Sequence, residues 1–249
     1  MTTQLSERTV MVVGASRGLG HGITSAFVRT GANVVALART SASLAELTST
    51  HPTVRAEIAD AADPAATRRV LDQHEPTVLI IVAGATPVMR ALTDHSWETF
   101  SVNWDADVKI AFTWLREILR KPLPRGSRVV IVSSGAALNG SPLSGSYAGA
   151  KASQRFIAQY AQIEAQRADL GITITTVMPR MTPFGAVGKE GIRAYATQAG
   201  LTDDEYTRQL GPLVTPETAG KALVDLAQAE PESSAAGYLL TADGLAAVT

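Results

Sequence analysis

Tyr147 and Lys151 stand four residues apart at the start of a helical pattern that ends near Gly171. Helical residues at that spacing share one face. A free phenol titrates at about 10 and is a poor base at neutral pH. An adjacent ammonium favours the phenolate and brings that value down. Upstream, Ser133 and Ser134 close an apolar run, Arg128–Val132. If that run is a strand of a parallel sheet, its carboxyl end is where ligands sit. A serine hydroxyl there could hydrogen-bond a substrate carbonyl while Tyr147 protonates it, and Lys151 could also hold a cofactor ribose. An isolated Tyr-x-x-x-Lys also describes an ordinary helix-surface pair, so the weight falls on what accompanies it.

What accompanies it is a glycine cluster near the start of the chain, Gly14-Ala15-Ser16-Arg17-Gly18-Leu19-Gly20. It follows one apolar run and opens a helical pattern. Glycines there allow a tight turn, close approach of backbone to a pyrophosphate, and close packing of helix on strand. The free N–H groups of a helix N-terminus favour a phosphate. A plain tight turn would also use glycine, but the placement between strand and helix favours a dinucleotide. The candidate contacts are Gly14, Ser16, Arg17, Gly18, Leu19 and Gly20. The second apolar run ends Ala36-Leu37-Ala38-Arg39-Thr40, with no acidic residue to bind a ribose 2′-hydroxyl. Arg39, with Arg17, could instead meet the 2′-phosphate of NADP. Solvated surface arginines are the bland alternative.

The elements that must position these groups are legible as alternation. Thr9–Val13, Asn33–Ala38, Val54–Ile58, Val78–Val82, Arg128–Val132, Thr173–Val177 and Tyr238–Leu240 read as strands, and most lack polar alternation, the pattern of strands buried on both faces of a parallel sheet. Helical patterns lie between them. In the first, Ile23, Ala26, Phe27 and Thr30 share a face and Gly31 follows as a stop. This predicts an α/β fold: one doubly wound Rossmann domain over residues 1–249, with a central parallel sheet of about seven strands flanked by helices. The least regular part, about 183–212, is a candidate substrate lid.

Composition narrows the classes of partner. The chain has 249 residues, 45% of them hydrophobic, and a formal net charge of −1, so neither nucleic acid nor an anionic membrane is an expected partner. With no cysteine, disulfides, thiolate metal sites and cysteine nucleophiles are excluded. His21, His51, His74 and His95 are scattered, and no metal site is expected. The polar opening residues lack the apolar stretch of a signal peptide, which makes the cytoplasm the expected location.

Taken together, the motifs resemble those of the short-chain dehydrogenase/reductase family along nearly the whole chain. The matching pieces are Gly14-x-x-x-Gly18-x-Gly20, Asp60 after the third strand, Ala83-Gly84 after the fourth, Asn103, Ser134, Tyr147-x-x-x-Lys151, and Gly237 with Asp243-Gly244. By that resemblance the chain is an NADP-dependent oxidoreductase that moves a hydride to or from a carbonyl or alcohol. Ser134 would orient the substrate oxygen and Tyr147 transfer the proton. Lys151 would lower the tyrosine pKa and bind the nicotinamide ribose, and Asn103 would anchor a water of the proton relay. Asp60, with Ala61, would meet the adenine; Ala83, Gly84 and Pro179 would line the cofactor. The resemblance also implies a homo-oligomer, a tetramer or dimer, formed through two long central helices.

Three positions depart from the family pattern. Val82 stands where asparagine is usual. Arg180 follows Pro179 where glycine is usual. Phe184 occupies the place of a threonine that binds the nicotinamide amide, a role left to Thr182 nearby. Arg180 either points out as a surface arginine or lines the pocket opposite a polar or anionic substrate group. The altered nicotinamide end also suits an NADP-binding sensor with little turnover. A scaffold that binds no nucleotide would not need the glycine loop.

Overall fold

A computed structural model describes residues 4–230 and 235–248. The apolar runs form β1 (Thr9–Val13), β2 (Asn33–Ala38), β3 (Arg55–Ile58), β4 (Val78–Ile81), β5 (Arg128–Val132), β6 (Thr173–Pro179), β7 (Gly237–Thr241) and β8 (Gly244–Val248). Among the described residues they make one sheet in the order β3-β2-β1-β4-β5-β6-β7-β8. Every pairing is parallel except β7 with β8, so the fold is Rossmann-like α/β. The sheet has eight strands, not about seven. The extra one is the antiparallel β8, which folds back from β7 at Asp243-Gly244; the alanine-rich Gly244–Val248 has little strand propensity of its own.

Helices cover both faces. They are α1 (Gly18–Arg29), α2 (Ala45–Thr50), α3 (Pro64–His74), α4 (Trp97–Asn103), α5 (Lys109–Arg120), α6 (Ala136–Asn139), α7 (Tyr147–Arg167), α8 (Ala186–Ala199), α9 (Asp203–Gln209) and α10 (Pro216–Gln228). Side chains alternate along each strand, so one sheet produces two cores. On one face Val10, Val12, Ala36 and Ile80 pack with Ile23 and Phe27 of α1 and Leu223 and Leu226 of α10. On the other, Met11, Val13, Leu79 and Ile81 pack with Trp114 and Ile118 of α5 and Ala158 and Ala161 of α7. Ile23, Ala26 and Phe27 are buried as expected from their spacing. Thr30 instead caps α1 and donates to the Phe27 carbonyl at 2.7 Å.

Two further differences concern function. The 183–212 segment is not irregular: it holds α8 and α9. Thr202 caps α9 in a reciprocal pair with Glu205, and Gly200 ends α8 in the left-handed region at φ 70°. Between α4 and α5 the helix widens into a single π turn, Trp104–Val108, a feature frequent at functional sites.

Candidate active site

The carboxyl ends of the parallel strands open into one cleft of about 1280 Å³. All the residues expected to bind cofactor or substrate line it, apart from Asn103. The volume exceeds the roughly 300–1,000 Å³ of a drug-sized ligand site.

One end of the cleft suits phosphate. Gly14 leaves β1 at φ 94°, and a Cβ there would lie 2.6 Å from the Ala83 nitrogen, so this turn requires glycine. α1 then begins at Gly18 with its N-terminus on the cleft. Arg17, just before it, and Arg39, just after β2, are both exposed, and neither guanidinium has a partner among the described residues. Asp60 accepts from the Ala62 N–H at 2.9 Å. The Ala61 carbonyl accepts from the Trp114 indole at 3.0 Å, which ties this wall to the core.

At the other end, the two serines after β5 separate. The Ser133 hydroxyl is buried and donates to the Lys151 carbonyl at 2.8 Å. Ser134 is partly open, and its oxygen accepts only the Ala136 N–H, at 3.2 Å, so its own hydroxyl proton is available. Tyr147 opens α7 half-buried, and its hydroxyl has no partner among the described residues. The Lys151 Nζ lies 5.6 Å from the Tyr147 ring centre.

Lys151 is buried and makes two contacts of its own: Asp107 Oδ2 at 3.2 Å and Gln154 Oε1 at 3.1 Å. Burial pushes the ammonium toward the neutral amine. The Asp107 charge, the Tyr147 phenolate and the Asp107 hydrogen bond outweigh burial and hold the Lys151 pKa above the ordinary lysine value. Asp107 and Gln154 are absent from the sequence reading. Asp107 stands four residues after Asn103, a helical spacing, but an acid in a helical window reads as a solvated face. Asn103 itself is buried away from the cleft, its amide donating to the Ala85 carbonyl at 3.0 Å.

The remaining wall of the cleft is aromatic and partly polar. Tyr195 of α8 stacks on Tyr206 of α9 at 6.3 Å, and the Tyr195 hydroxyl meets Ser141 Oγ at 2.8 Å. Arg180 lines the cleft, exposed, and its guanidinium has no partner among the described residues. The Thr182 hydroxyl donates to the Val214 carbonyl at 2.6 Å and accepts the Phe184 N–H at 3.4 Å, leaving one lone pair for a ligand. Phe184 is exposed on the same wall. Beyond it the backbone touches the phosphate end: a Cβ on Gly18 would lie 3.3 Å from the Phe184 carbonyl and 3.3 Å from Gly185 Cα. Among the described residues, no helix is long and apolar enough to cross a membrane.

A family model described as short chain dehydrogenase matches residues 8–208. L-xylulose reductase of Bos taurus is 26% identical over 187 residues, covering 74% of this chain and 77% of that protein. L-xylulose reductase of Homo sapiens is 30% identical over 129 residues, covering 52% of this chain and 53% of that protein. Carbonyl reductase [NADPH] 2 of Sus scrofa is 29% identical over 136 residues, covering 54% of this chain and 56% of that protein. The match thus spans about half the length of the human and pig relatives.

Proposed function

The chain belongs to the short-chain dehydrogenase family, a group of hydride-transfer oxidoreductases, and on that premise we propose that it interconverts a small carbonyl substrate and its alcohol with NADP(H), using Tyr147 as general acid and base. The observation that carries the reading is the convergence of an unpartnered Tyr147 hydroxyl, the Ser134 hydroxyl and the Lys151 ammonium on the cleft that the glycine loop also lines.

The residues present fit a dinucleotide: the Gly14 turn, the α1 N-terminus and two unpartnered arginines lie along one wall. Bound there, NADP(H) supplies or accepts the hydride. Arg17 and Arg39 give NADP its advantage over NAD through the 2′-phosphate, and the relative named carbonyl reductase [NADPH] supports this. Asp60 and Ala61 border the adenine end. Ser134 donates its hydroxyl proton to the substrate oxygen and fixes it beside Tyr147. Tyr147 gives its proton to that oxygen in reduction and takes it back in oxidation. Lys151 stabilises the phenolate as the proton leaves, and its remaining donor is free for a ribose hydroxyl. Ala83, Gly84, Pro179 and the remaining lone pair of Thr182 border the nicotinamide. Asn103 acts through its hold on Ala85 rather than by contact with substrate. Relatives named L-xylulose reductase support a small carbonyl compound as substrate.

The reading includes one cofactor-binding domain with a helical lid, and a homo-oligomer. Phe112 on α5 and Phe156, Tyr160 and Ile163 on α7 are large, apolar and exposed, which supports assembly through these two helices. Tyr147→Phe keeps the ring and removes the proton. It should retain NADPH binding and lower turnover of any substrate the wild type accepts by at least about a hundredfold. Near-full activity in that variant would overturn the mechanism.

A further inference from the structure

The ammonium of Lys151 is a buried charge, and a buried charge persists only where it is paired and hydrogen-bonded. An ammonium has three donors. Two are met: one by the Asp107 carboxylate at 3.2 Å, one by the Gln154 amide oxygen at 3.1 Å. Asp107 is itself completely buried. Its second oxygen accepts the Ala85 N–H at 2.7 Å, and Asn103 reaches its first at 3.5 Å. Gln154 closes the ring by donating to the Asp107 main-chain carbonyl at 2.8 Å.

The fold makes specific room for this carboxylate. Asp107 sits in the π turn between α4 and α5. Gly84 faces it, and a Cβ there would lie 2.8 Å from Asp107 Oδ1. Among the described residues Asp107 is the sole carboxylate paired with Lys151. Of the other ionisable groups around it, Tyr147 lies on the same helix. Asp105, from the same π turn, turns to the Ser101 hydroxyl at 3.0 Å. The residue that follows β5, the neutral Ser133, meets the Lys151 main chain rather than its ammonium. Arg17, Arg39, Asp60, Lys109 and Arg180 line the same cleft without an ion pair to Lys151.

We propose that Asp107 is a positioning residue of the active site, the counter-ion that keeps Lys151 both charged and aimed beside Tyr147. This rests on the role given to Lys151 and Tyr147 above. Without the carboxylate, the ammonium keeps its burial and loses its nearest opposite charge, so its proton leaves at a lower pH. The charged form that assists Tyr147 then gives way to the neutral amine at a lower pH than in the wild type.

Asp107→Asn is the direct test, because the amide oxygen can still accept from Ala85 while the charge is gone. The Lys151 titration is followed by carbon-13 NMR of lysine Cε, with the signal assigned by its loss in Lys151→Met. Its midpoint should fall by at least about one pH unit in Asp107→Asn. The alkaline limb of kcat/KM for carbonyl reduction should move down with it. Asp107→Thr, which also offers Ala85 a neutral acceptor, serves if the asparagine variant does not fold. Gln154→Met removes an uncharged acceptor and should move the midpoint less. An unmoved Lys151 midpoint in the folded neutral variants would overturn the proposal, as would a Gln154→Met shift equal to that of Asp107→Asn. If Tyr147→Phe were fully active, the acid–base assignment would fail, but the Lys151 titration would still decide the role of Asp107.

Discussion

Replacing Arg39 with glutamine should remove most of one arginine's share of the preference for NADPH over NADH. Arg39 directly follows β2, is exposed, lines the cleft and has no partner among the described residues. A hydrogen bond to a charged group contributes about 1.5–3 kcal/mol. The side chain remains open to solvent, which screens it, so the lower end applies. That corresponds to roughly tenfold in affinity. Arg17, similarly placed, contributes a comparable factor, so the wild type should favour NADPH by roughly a hundredfold if the two add. Arg39→Gln should weaken NADPH by about tenfold and leave NADH within about twofold. Both dissociation constants should be measured by titration at one ionic strength, then again at higher salt, where the preference should narrow. Equal affinity of the wild type for the two cofactors would refute the reasoning. So would an equal loss of both on substitution, which would show that Arg39 supports the fold of the site rather than a 2′-phosphate.

Two other perturbations have defined outcomes. Arg180→Gly should raise the Michaelis constant of a substrate carrying an anionic or strongly polar group, by roughly tenfold, with the NADPH dissociation constant unchanged; if neither constant moves, the arginine is a surface side chain. Glu57 is buried on β3 between Arg69 at 2.7 Å and His74 at 3.1 Å. Burial pushes its carboxyl up, but the hydrogen bonds and charges of His74 and Arg69 outweigh it and hold the pKa below the ordinary value. Its contribution is therefore complete above the ordinary carboxylate range and is lost as pH falls through the depressed value. Glu57→Gln should cost about 1–2 kcal/mol at neutral pH, a figure kept low because Arg69 stays half exposed. Denaturant unfolding should show that deficit shrinking on acidification, and a deficit independent of pH would contradict the assignment.

The parallel strands were legible because strands covered on both faces are written as continuous Val and Ile runs, as in Val78–Ile81. β8 was not, because Leu245-Ala246-Ala247-Val248 has little intrinsic preference for a strand and depends on pairing with β7. Asp243-Gly244 was the available hairpin signal. α9 was also announced, by Thr202-x-x-Glu205, yet the segment read as irregular because no apolar stripe marks it; α9 buries no residue. The cleft residues were legible because glycine loops and Tyr-x-x-x-Lys are local patterns. Asp107 was not, since its partner Lys151 lies in a different helix and only the tertiary fold buries the pair. Residue type alone does not separate Ser133 from Ser134; the resemblance favoured Ser134, and the fold turns Ser133 away to the Lys151 carbonyl.

The close approach of Gly185 and the Phe184 carbonyl to Gly18 joins the two halves of the cleft mechanically. The chain that would border a substrate rests on the loop that would cradle the pyrophosphate. A ligand that ordered one segment would leave its neighbour less entropy to lose. Such an effect is reciprocal by thermodynamic necessity: whatever factor the dinucleotide adds to substrate affinity, the substrate returns to the dinucleotide. Under the proposed function, binding at one end of this cleft would then report on the other.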